Sequence, residues 1–368
     1  MRILFIGDYS NLHTTLAQEL RKMGHQADVL SDKCGYMDLE ANIYLKREPG
    51  IKGGFKYLYD LFSLLPRLKD YDVVQLINTN FFILRPPKIK YFYDRLKEQN
   101  RSMFLTLAGN DYYYVKACYD AKIFRFSEFK TGNNFTAAAM EEPQHMYGWM
   151  SHANKRLAEY LYEDITGAMA VLPEYDMAGK PLLGERLAFT NLPINFSQLP
   201  PSSNFSDGKV TLFMAMRSGV EHWKGTRQLY KIAQEIEQEM PDKVKVELAR
   251  DLSLQEFLSR MSKSDIVLDQ LYAYSPAMTA LYAMGMGKVA ATGAQPEYYD
   301  YIDYHETEPI FSLSPFDNDI KERLIKLIDD REMILRNGEK SKEIALHYND
   351  ASIVTKKFID HWNKFLKP

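Results

Sequence analysis

Residues 264–293 read SDIVLDQLYAYSPAMTALYAMGMGKVAATG. The apolar run at 266–268 predicts a buried strand, and it precedes a helical stretch at 278–286 and a second apolar run at 289–292. Strand, helix and strand in this order are typical of a parallel sheet whose faces are covered by helices. The stretch therefore predicts an α/β fold.

The same alternation continues on both sides of a segment rich in Pro, Ser and Asn at 191–208, which we interpret as a linker. A chain of 368 residues is also long for one hydrophobic core. The predicted organisation is an N-terminal Rossmann-like domain at 1–190, the linker at 191–208, a C-terminal Rossmann-like domain at 209–348 and a C-terminal helix at 349–368 that crosses back to the N-terminal domain.

Two such domains are expected to face a cleft, with ligands beyond the carboxyl ends of the strands. In the N-terminal domain, His13 follows the first strand by one loop, and Asp111 follows the strand predicted at 103–108. These positions make His13 and Asp111 the candidate catalytic residues that contact a hydroxyl-rich substrate. Helix capping and turn formation are the alternative roles of such residues.

In the C-terminal domain, two cations follow the strand predicted at 210–215. Arg217 comes just after the strand, and Lys224-Gly225 opens the next helix. An arginine fork and a mobile lysine at the end of a strand can bind a diphosphate. Two solvated surface charges are the alternative interpretation.

With these residues in place, the chain resembles the retaining GT-B glycosyltransferases related to glycogen and sucrose synthases, family 4 (group 1). The resemblance lies in Ser264-Asp265 with the strand after it, in Ala283-Met284-Gly285, in Gly287-Lys288-Val289, and in Arg217 with Lys224-Gly225. It implies a GT-B fold and a nucleoside diphosphate sugar as donor substrate, with Arg217, Lys224 and Gly225 at its phosphates. It implies no separate cofactor and no bound metal.

The sequence departs from this family at its two motif glutamates, which fall on Tyr274 and Tyr282. A tyrosine hydroxyl can still form hydrogen bonds, but it is neutral at physiological pH. The glycines of the family's turn are replaced by residues 275–277, after which a helix begins. We expect the donor to be bound by this region, namely by Tyr274, Ser275, Ala277, Met278, Thr279 and Tyr282.

The expected function is transfer of a sugar from a nucleoside diphosphate sugar to a glycan or lipid-linked acceptor in cell-surface polysaccharide synthesis. The tyrosine replacements leave two alternatives open. One is a catalytically weak relative that binds a sugar nucleotide or glycan, and the other is a sugar-nucleotide epimerase of the same fold. An epimerase would act on the donor without any acceptor.

The composition of the chain indicates which classes of partner and which cellular compartment to expect. The net charge of −3 disfavours nucleic-acid binding, which needs a basic excess. Two cysteines, the absence of a signal-peptide pattern and the lack of a long apolar run predict a cytoplasmic protein. Residues 46–101 carry twelve Lys and Arg against six Asp and Glu. This local excess is compatible with peripheral contact with the inner face of a membrane, and a solvated face is the alternative.

Overall fold

The structure is a computed structural model, and it describes residues 1–33, 41–216 and 222–366. Its central strands coincide with short apolar runs of the sequence. The strands are β1 Arg2–Ile6, β2 Gln26–Ser31, β3 Ile43–Tyr44, β4 Val73–Leu76, β5 Met103–Leu107, β6 Lys130–Thr131, β7 Asn134–Phe135, β8 Gly167–Ala170, β9 Leu187–Phe189, β10 Val210–Met216, β11 Val244–Arg250, β12 Ile266–Leu268, β13 Val289–Thr292 and β14 Phe311–Ser312.

The helices lie between these strands and close the chain. They are α1 Leu12–Lys22, α2 Gly50–Leu64, α3 Pro86–Gln99, α4 Tyr112–Asp120, α5 Ala137–Glu141, α6 Pro143–Trp149, α7 His152–Asp164, α8 Pro173–Leu183, α9 Thr226–Glu239, α10 Leu254–Met261, α11 Met278–Gly285, α12 Pro296–Tyr301, α13 Ile320–Ile328, α14 Arg331–Asn349 and α15 Ala351–Phe365. Within the described ranges, no helix combines the length and the apolar character needed to cross a bilayer.

Among the strands of the described residues, β6 and β7 pair antiparallel with each other, and the others form two separate parallel sheets. The first has seven strands in the order β3-β2-β1-β4-β5-β8-β9, and the second has five in the order β11-β10-β12-β13-β14. All neighbours in both sheets run parallel, and the central strands are buried on both faces. The predicted α/β class with two Rossmann-like sheets is therefore confirmed.

The chain divides into two compact units, one around each sheet. The first contains Met1–Ala117, Gln144–Pro193 and Ala351–Pro368, and the second contains Cys118–Pro143 and Ile194–Asp350. The segment Cys118–Pro143 belongs to the second unit, although the sequence pattern placed it within the N-terminal domain. Its apolar side chains pack on residues that follow the linker, which the order of elements along the chain does not reveal.

The C-terminal helix α15 belongs to the first unit, where it packs on α1 and β8. Phe358 and Trp362 are fully buried there. The predicted return of the C-terminal helix to the N-terminal region is thus confirmed by its contact with α1. Burial of two large aromatic side chains supplies the driving force for this packing.

Two charged residues of the quoted stretch fix the linker to the second unit. The carboxylate of Asp265 accepts hydrogen bonds from the backbone N–H groups of Phe205 and Thr211, at 2.8 and 2.7 Å. The buried ammonium of Lys288 donates to the carbonyl of Ser203 and to the side-chain oxygen of Asn204, at 2.6 and 2.8 Å. Burial lowers the pKa of Lys288 to about 8, while Asp265 acts in the opposite direction. Asp265 and Lys288, two residues of the family-like motif, therefore stabilise the fold.

Candidate functional site

The candidate donor site in the second unit is built around the start of α11. The helix begins at Met278, and its N-cap residue Ala277 has an extended backbone and provides no side-chain cap. The first amides of a helix have no partner within the helix, and the helix dipole places partial positive charge there. Ala277, Met278 and Thr279 are each half-buried, so this end of the helix is partly open. It has the chemistry of an anion site.

Lys224 and Gly225 lie beside the loop that leads into α11. The carbonyl of Lys224 accepts a hydrogen bond from the N–H of Leu271 at 2.9 Å, and the Lys224 side chain is exposed. Gly225 has φ +71°, and a Cβ added there would lie 2.8 Å from a methyl carbon of Leu271. Glycine therefore permits both the left-handed turn and the close packing of the two loops. Arg217 lies outside the described residues.

Asp269 is a buried carboxylate in this loop, and it was not among the site residues predicted from the sequence. It follows β12 directly, and it accepts a hydrogen bond from the Thr292 hydroxyl at 3.1 Å. Burial raises the pKa of Asp269, whereas the positive charge of Lys224 and the Thr292 hydrogen bond oppose that rise. Its position at the carboxyl end of a strand was the signal that could have identified it.

The ring of Tyr274 is covered by the segment Cys118–Pro143. It stacks on Phe126 with ring centroids 4.6 Å apart and an interplanar angle of 18°. Its hydroxyl oxygen accepts the backbone N–H groups of Arg125 and Phe126, at 2.5 and 3.3 Å. The side chain is 2% exposed. Tyr274 therefore binds the segment Cys118–Pro143 through both its ring and its hydroxyl.

Further contacts hold the same segment in place. Arg125 forms an ion pair with Glu297 at 2.9 Å, and the Phe129 ring lies 5.7 Å from that of Trp223. Glu142 approaches the ring of His222 at 3.4 Å. The segment thus spans from the loop before α9 to the loop before α11. No sequence pattern pointed to this arrangement, since every contact joins residues far apart in the chain.

The remaining donor-site predictions fall on buried side chains. Ser275 is fully buried, and Tyr282 is buried within α11. Both make further polar or ring contacts in the structure. The roles predicted for Ser275, Tyr282 and the other donor-site residues stay predictions. The structure brings together Lys224, Gly225 and the loop before α11.

In the first unit, His13 is fully buried and both ring nitrogens are engaged. Nδ1 lies 2.7 Å from the carbonyl oxygen of Gly7 and Nε2 lies 3.1 Å from the hydroxyl of Thr106. A carbonyl can only accept, so Nδ1 carries the proton and Nε2 accepts from Thr106. Burial lowers the pKa of His13 to about 3, partly offset by the Gly7 carbonyl. The imidazole is therefore neutral at physiological pH.

The His13 bond is one end of a buried chain of hydrogen bonds. Thr106 accepts from the side-chain amide of Gln75 at 2.9 Å, and Gln75 accepts from the indole N–H of Trp362 at 2.9 Å. These hydrogen bonds join the loop after β1, α1, β5, β4 and α15. Gln75 and Thr106 were not predicted from the sequence, because a polar residue inside a buried strand finds its hydrogen-bond partners only when distant parts of the chain fold together.

Asp111 is also buried, and both carboxylate oxygens accept hydrogen bonds. Oδ1 accepts the backbone N–H of Tyr114 at 2.8 Å, and Oδ2 accepts the hydroxyl of Tyr162 at 2.7 Å. Burial raises the pKa of Asp111, and these bonds oppose the rise. The carboxylate caps α4 and ties it to α7. The catalytic roles of His13 and Asp111 stay predictions, and the observed bonds favour structural roles.

No metal-binding cluster stands out in the part of the chain that the structure describes, where no group of three or more His, Cys, Asp and Glu side chains is placed to hold an ion. The candidate site consists of the Lys224 cation, the partly open start of α11 and the buried carboxylate of Asp269, all in the second unit.

The sequence matches no protein-family model, and no curated protein is similar to it in sequence. Solved structures resemble it throughout. A sucrose-phosphate synthase from Thermosynechococcus elongatus gives a TM-score of 0.64 at 11% identity over 99% of both chains. Anabaena Alr3699/HepE in complex with UDP-glucose gives 0.63 at 13% identity, covering 99% of this chain and 100% of that one. The catalytic domain of starch synthase IV from Arabidopsis thaliana, bound to ADP and acarbose, gives 0.58 at 11% identity, covering 100% and 99%.

These structures share the GT-B fold, and the likeness confirms that fold for this chain. Identities of 11% and 13% establish the fold alone. The ligands that two of these structures hold, UDP-glucose and ADP, indicate that nucleotides are the ligand class to test.

Proposed function

We propose that the protein is a glycosyltransferase that moves a sugar from a nucleoside diphosphate sugar to a glycan or lipid-linked acceptor. The similar structures support this donor class, since one of them holds UDP-glucose and another holds ADP. Synthesis of cell-surface polysaccharide is the process that we propose for it, and a cytoplasmic location with peripheral contact at a membrane would suit such an acceptor.

One observation carries the proposal. The loop with Lys224 is hydrogen-bonded to the loop that runs into α11. The first turn of α11 is partly open, and its N-cap residue Ala277 provides no side-chain cap. A cation and a helix start that share one scaffold make a site for a diphosphate. Arg217, predicted for the same loop, would add a second cation and a bidentate fork.

The proposed chemistry rests on departure of the nucleoside diphosphate. Negative charge builds on that leaving group in the transition state, and preorganised cations and amides stabilise it there. We propose that Lys224, Arg217 and the backbone amides near Met278 stabilise this negative charge without a metal ion. Retention of the anomeric configuration is proposed from the family resemblance.

A second candidate function is binding of a sugar nucleotide or glycan without turnover. The Tyr274 arrangement favours it, because a neutral hydroxyl stands where the resembling family has a carboxylate. That hydroxyl already accepts two backbone amides. Both functions use the same diphosphate site, so nucleotide binding alone does not separate them.

Turnover separates the candidates. Purified protein is incubated with UDP-, ADP- and GDP-sugars, with and without a panel of glycans and a lipid extract, and free nucleoside diphosphate is measured. We expect sustained nucleotide release that requires both a particular donor and an acceptor, and we expect Lys224→Ala to slow it. Lys231→Ala, at an exposed position of α9, is the matched control.

Two results would contradict the transferase proposal. Tight nucleotide binding with no release in the presence of any acceptor would indicate a binding protein. Conversion of the donor to an isomeric sugar nucleotide in the absence of acceptor would indicate an epimerase.

A further inference from the structure

Helix α2 in the first unit has an unusual outward face. It buries Tyr57 and Leu61 against the unit, while Ile51, Phe55 and Tyr59 on the other side are 80%, 71% and 73% exposed. Phe62, one turn further along, is also exposed. At 100° per residue, positions 51, 55, 59 and 62 fall within an arc of about 80°, roughly opposite the buried pair. The helix therefore carries a second apolar stripe, directed to solvent.

An open groove of about 820 Å³ adjoins this stripe. Its apolar lining includes Phe55, Phe82 and the exposed Ile83, and its basic lining consists of Arg47, Arg85 and Lys88. The groove is held in shape by Tyr57, whose hydroxyl accepts the backbone N–H of Ile83 at 3.3 Å. Apolar surface and guanidinium or ammonium groups thus share one concavity.

Positive charge also runs along the helix beside the stripe. Lys52 and Lys56 are exposed, and the helical spacing places them about 60° to 100° from the centre of the apolar arc. Lys56 pairs with Asp60 at 2.6 Å, and Glu48 pairs with Lys46 at 3.3 Å. These two acidic groups are outnumbered by the cations of the helix and the groove, so the face has a positive surplus.

Charge and apolar character together decide what fits this face. Lysine is depleted in the buried centres of protein interfaces, whereas lysines flanking exposed aromatic and aliphatic side chains are typical of helices that lie in a membrane interface. Phenylalanine and tyrosine are suited to the boundary between head groups and acyl chains. Lys and Arg beside them are drawn to anionic lipid phosphates.

We propose that this face, formed by α2 and the adjoining groove, binds the surface of an anionic lipid bilayer. Ile51, Phe55 and Tyr59 enter the boundary between head groups and acyl chains, and the cations contact lipid phosphates. The inference concerns the first unit alone, and it does not depend on the donor site proposed in the second. It would deliver the enzyme to a lipid-linked acceptor.

Vesicle co-sedimentation of the full chain tests the proposal. The probes are vesicles of phosphatidylcholine alone and vesicles of phosphatidylcholine mixed with phosphatidylglycerol. We expect clear binding to the mixed vesicles, weak binding to the neutral ones, and loss of the preference at high salt.

Two variants separate the apolar from the charged contribution. Ile51→Ser with Phe55→Ser should weaken binding to the mixed vesicles by about tenfold or more, because two exposed apolar side chains no longer insert. Lys52→Glu with Lys88→Glu should weaken it by a similar factor on mixed vesicles only. The matched controls carry substitutions at exposed positions of the second unit and should bind as the wild type does. They are Leu335→Ser with Leu346→Ser for the apolar variant, and Lys231→Glu with Lys326→Glu for the charge variant.

Three outcomes would overturn the proposal. They are equal binding to neutral and mixed vesicles, unchanged binding by both α2-face variants, and a wild type that does not bind vesicles. In the last case, sedimentation velocity that shows a dimer dissociated by Ile51→Ser with Phe55→Ser would identify a second copy as the occupant. Nucleotide titration without lipid reports on the donor site separately, so failure of one proposal is distinguishable from failure of the other.

Discussion

The loops at the carboxyl ends of the strands differ between the two units. In the first unit, His13 and Asp111 are buried, and their polar atoms are engaged by the Gly7 carbonyl, Thr106, Tyr114 and Tyr162. In the second unit, Lys224 is exposed, and the N-cap residue of α11, Ala277, provides no side-chain cap. A polar group whose hydrogen-bond partners lie inside the protein stabilises the fold, whereas an exposed cation near a helix start can bind an external anion.

The largest expected effect tests the structural side of this comparison. Asp111→Ala should lower the unfolding free energy of the first unit by about 3 kcal/mol, because it leaves the Tyr162 hydroxyl and the Tyr114 amide without a buried partner. The measurement is urea unfolding followed by hydrogen exchange in peptides of that unit. Glu185→Ala, at an exposed position of the same unit, is the control. A variant of unchanged stability that has lost turnover would instead assign Asp111 a catalytic contact.

A somewhat smaller effect is expected from pH. The pKa of His13 is about 3 in the folded chain, below its ordinary value of 6.5, so the unfolded chain binds more protons between these values. The contribution of His13 to stability is therefore present above pH 6.5 and is lost as pH falls toward 3. Between pH 6.5 and pH 5 the loss should be about 2 kcal/mol.

The control removes the titrating ring. His13→Gln should lack this part of the pH dependence, so the gap in unfolding free energy between wild type and variant should narrow as pH falls. Asp8 and Asp111 have raised pKa values and act in the opposite direction, and they are common to both proteins. A gap that stays constant would mean that the folded chain protonates His13 as readily as the unfolded chain does.

The smallest effect concerns Tyr274, which binds the segment Cys118–Pro143. Tyr274→Phe removes the acceptor of the Arg125 and Phe126 amides but keeps the stacked ring, so we expect a loss of about 1 kcal/mol. Hydrogen exchange at those two amides should become roughly fivefold to tenfold faster, since 1.4 kcal/mol corresponds to tenfold. Tyr230→Phe, half-buried on α9, is the control. Unchanged exchange would show that the segment is held by its other contacts.

The sequence predicted the fold well because the fold depends on local pattern. The apolar runs at 266–268 and 289–292 coincide with β12 and β13, and the helix predicted from 278 begins at Met278. The α/β class, the GT-B fold and the return of the C-terminal helix follow from such runs and from the family resemblance.

Sites were harder to predict because burial and bonding are long-range. His13 was selected for its place after a strand, yet its partner Thr106 lies 93 residues away in the chain, and Trp362 completes the same buried network. Phe126 covers Tyr274 from 148 residues away. Neither contact can be predicted from the residues nearby in the sequence. Asp269 could have been predicted, because it is a carboxylate directly after a buried strand.

We propose that the cations of the second unit bind the diphosphate of a nucleotide. Isothermal titration with UDP and ADP tests it most directly, using the wild type, Arg217→Ala with Lys224→Ala, and Arg227→Ala with Lys231→Ala as a control at neighbouring exposed positions. We expect wild type and control to bind one of these nucleotides, and we expect the variant at Arg217 and Lys224 to lose most of that affinity, by roughly tenfold or more. Equal affinity for all three proteins, each with an unchanged unfolding transition, would contradict it.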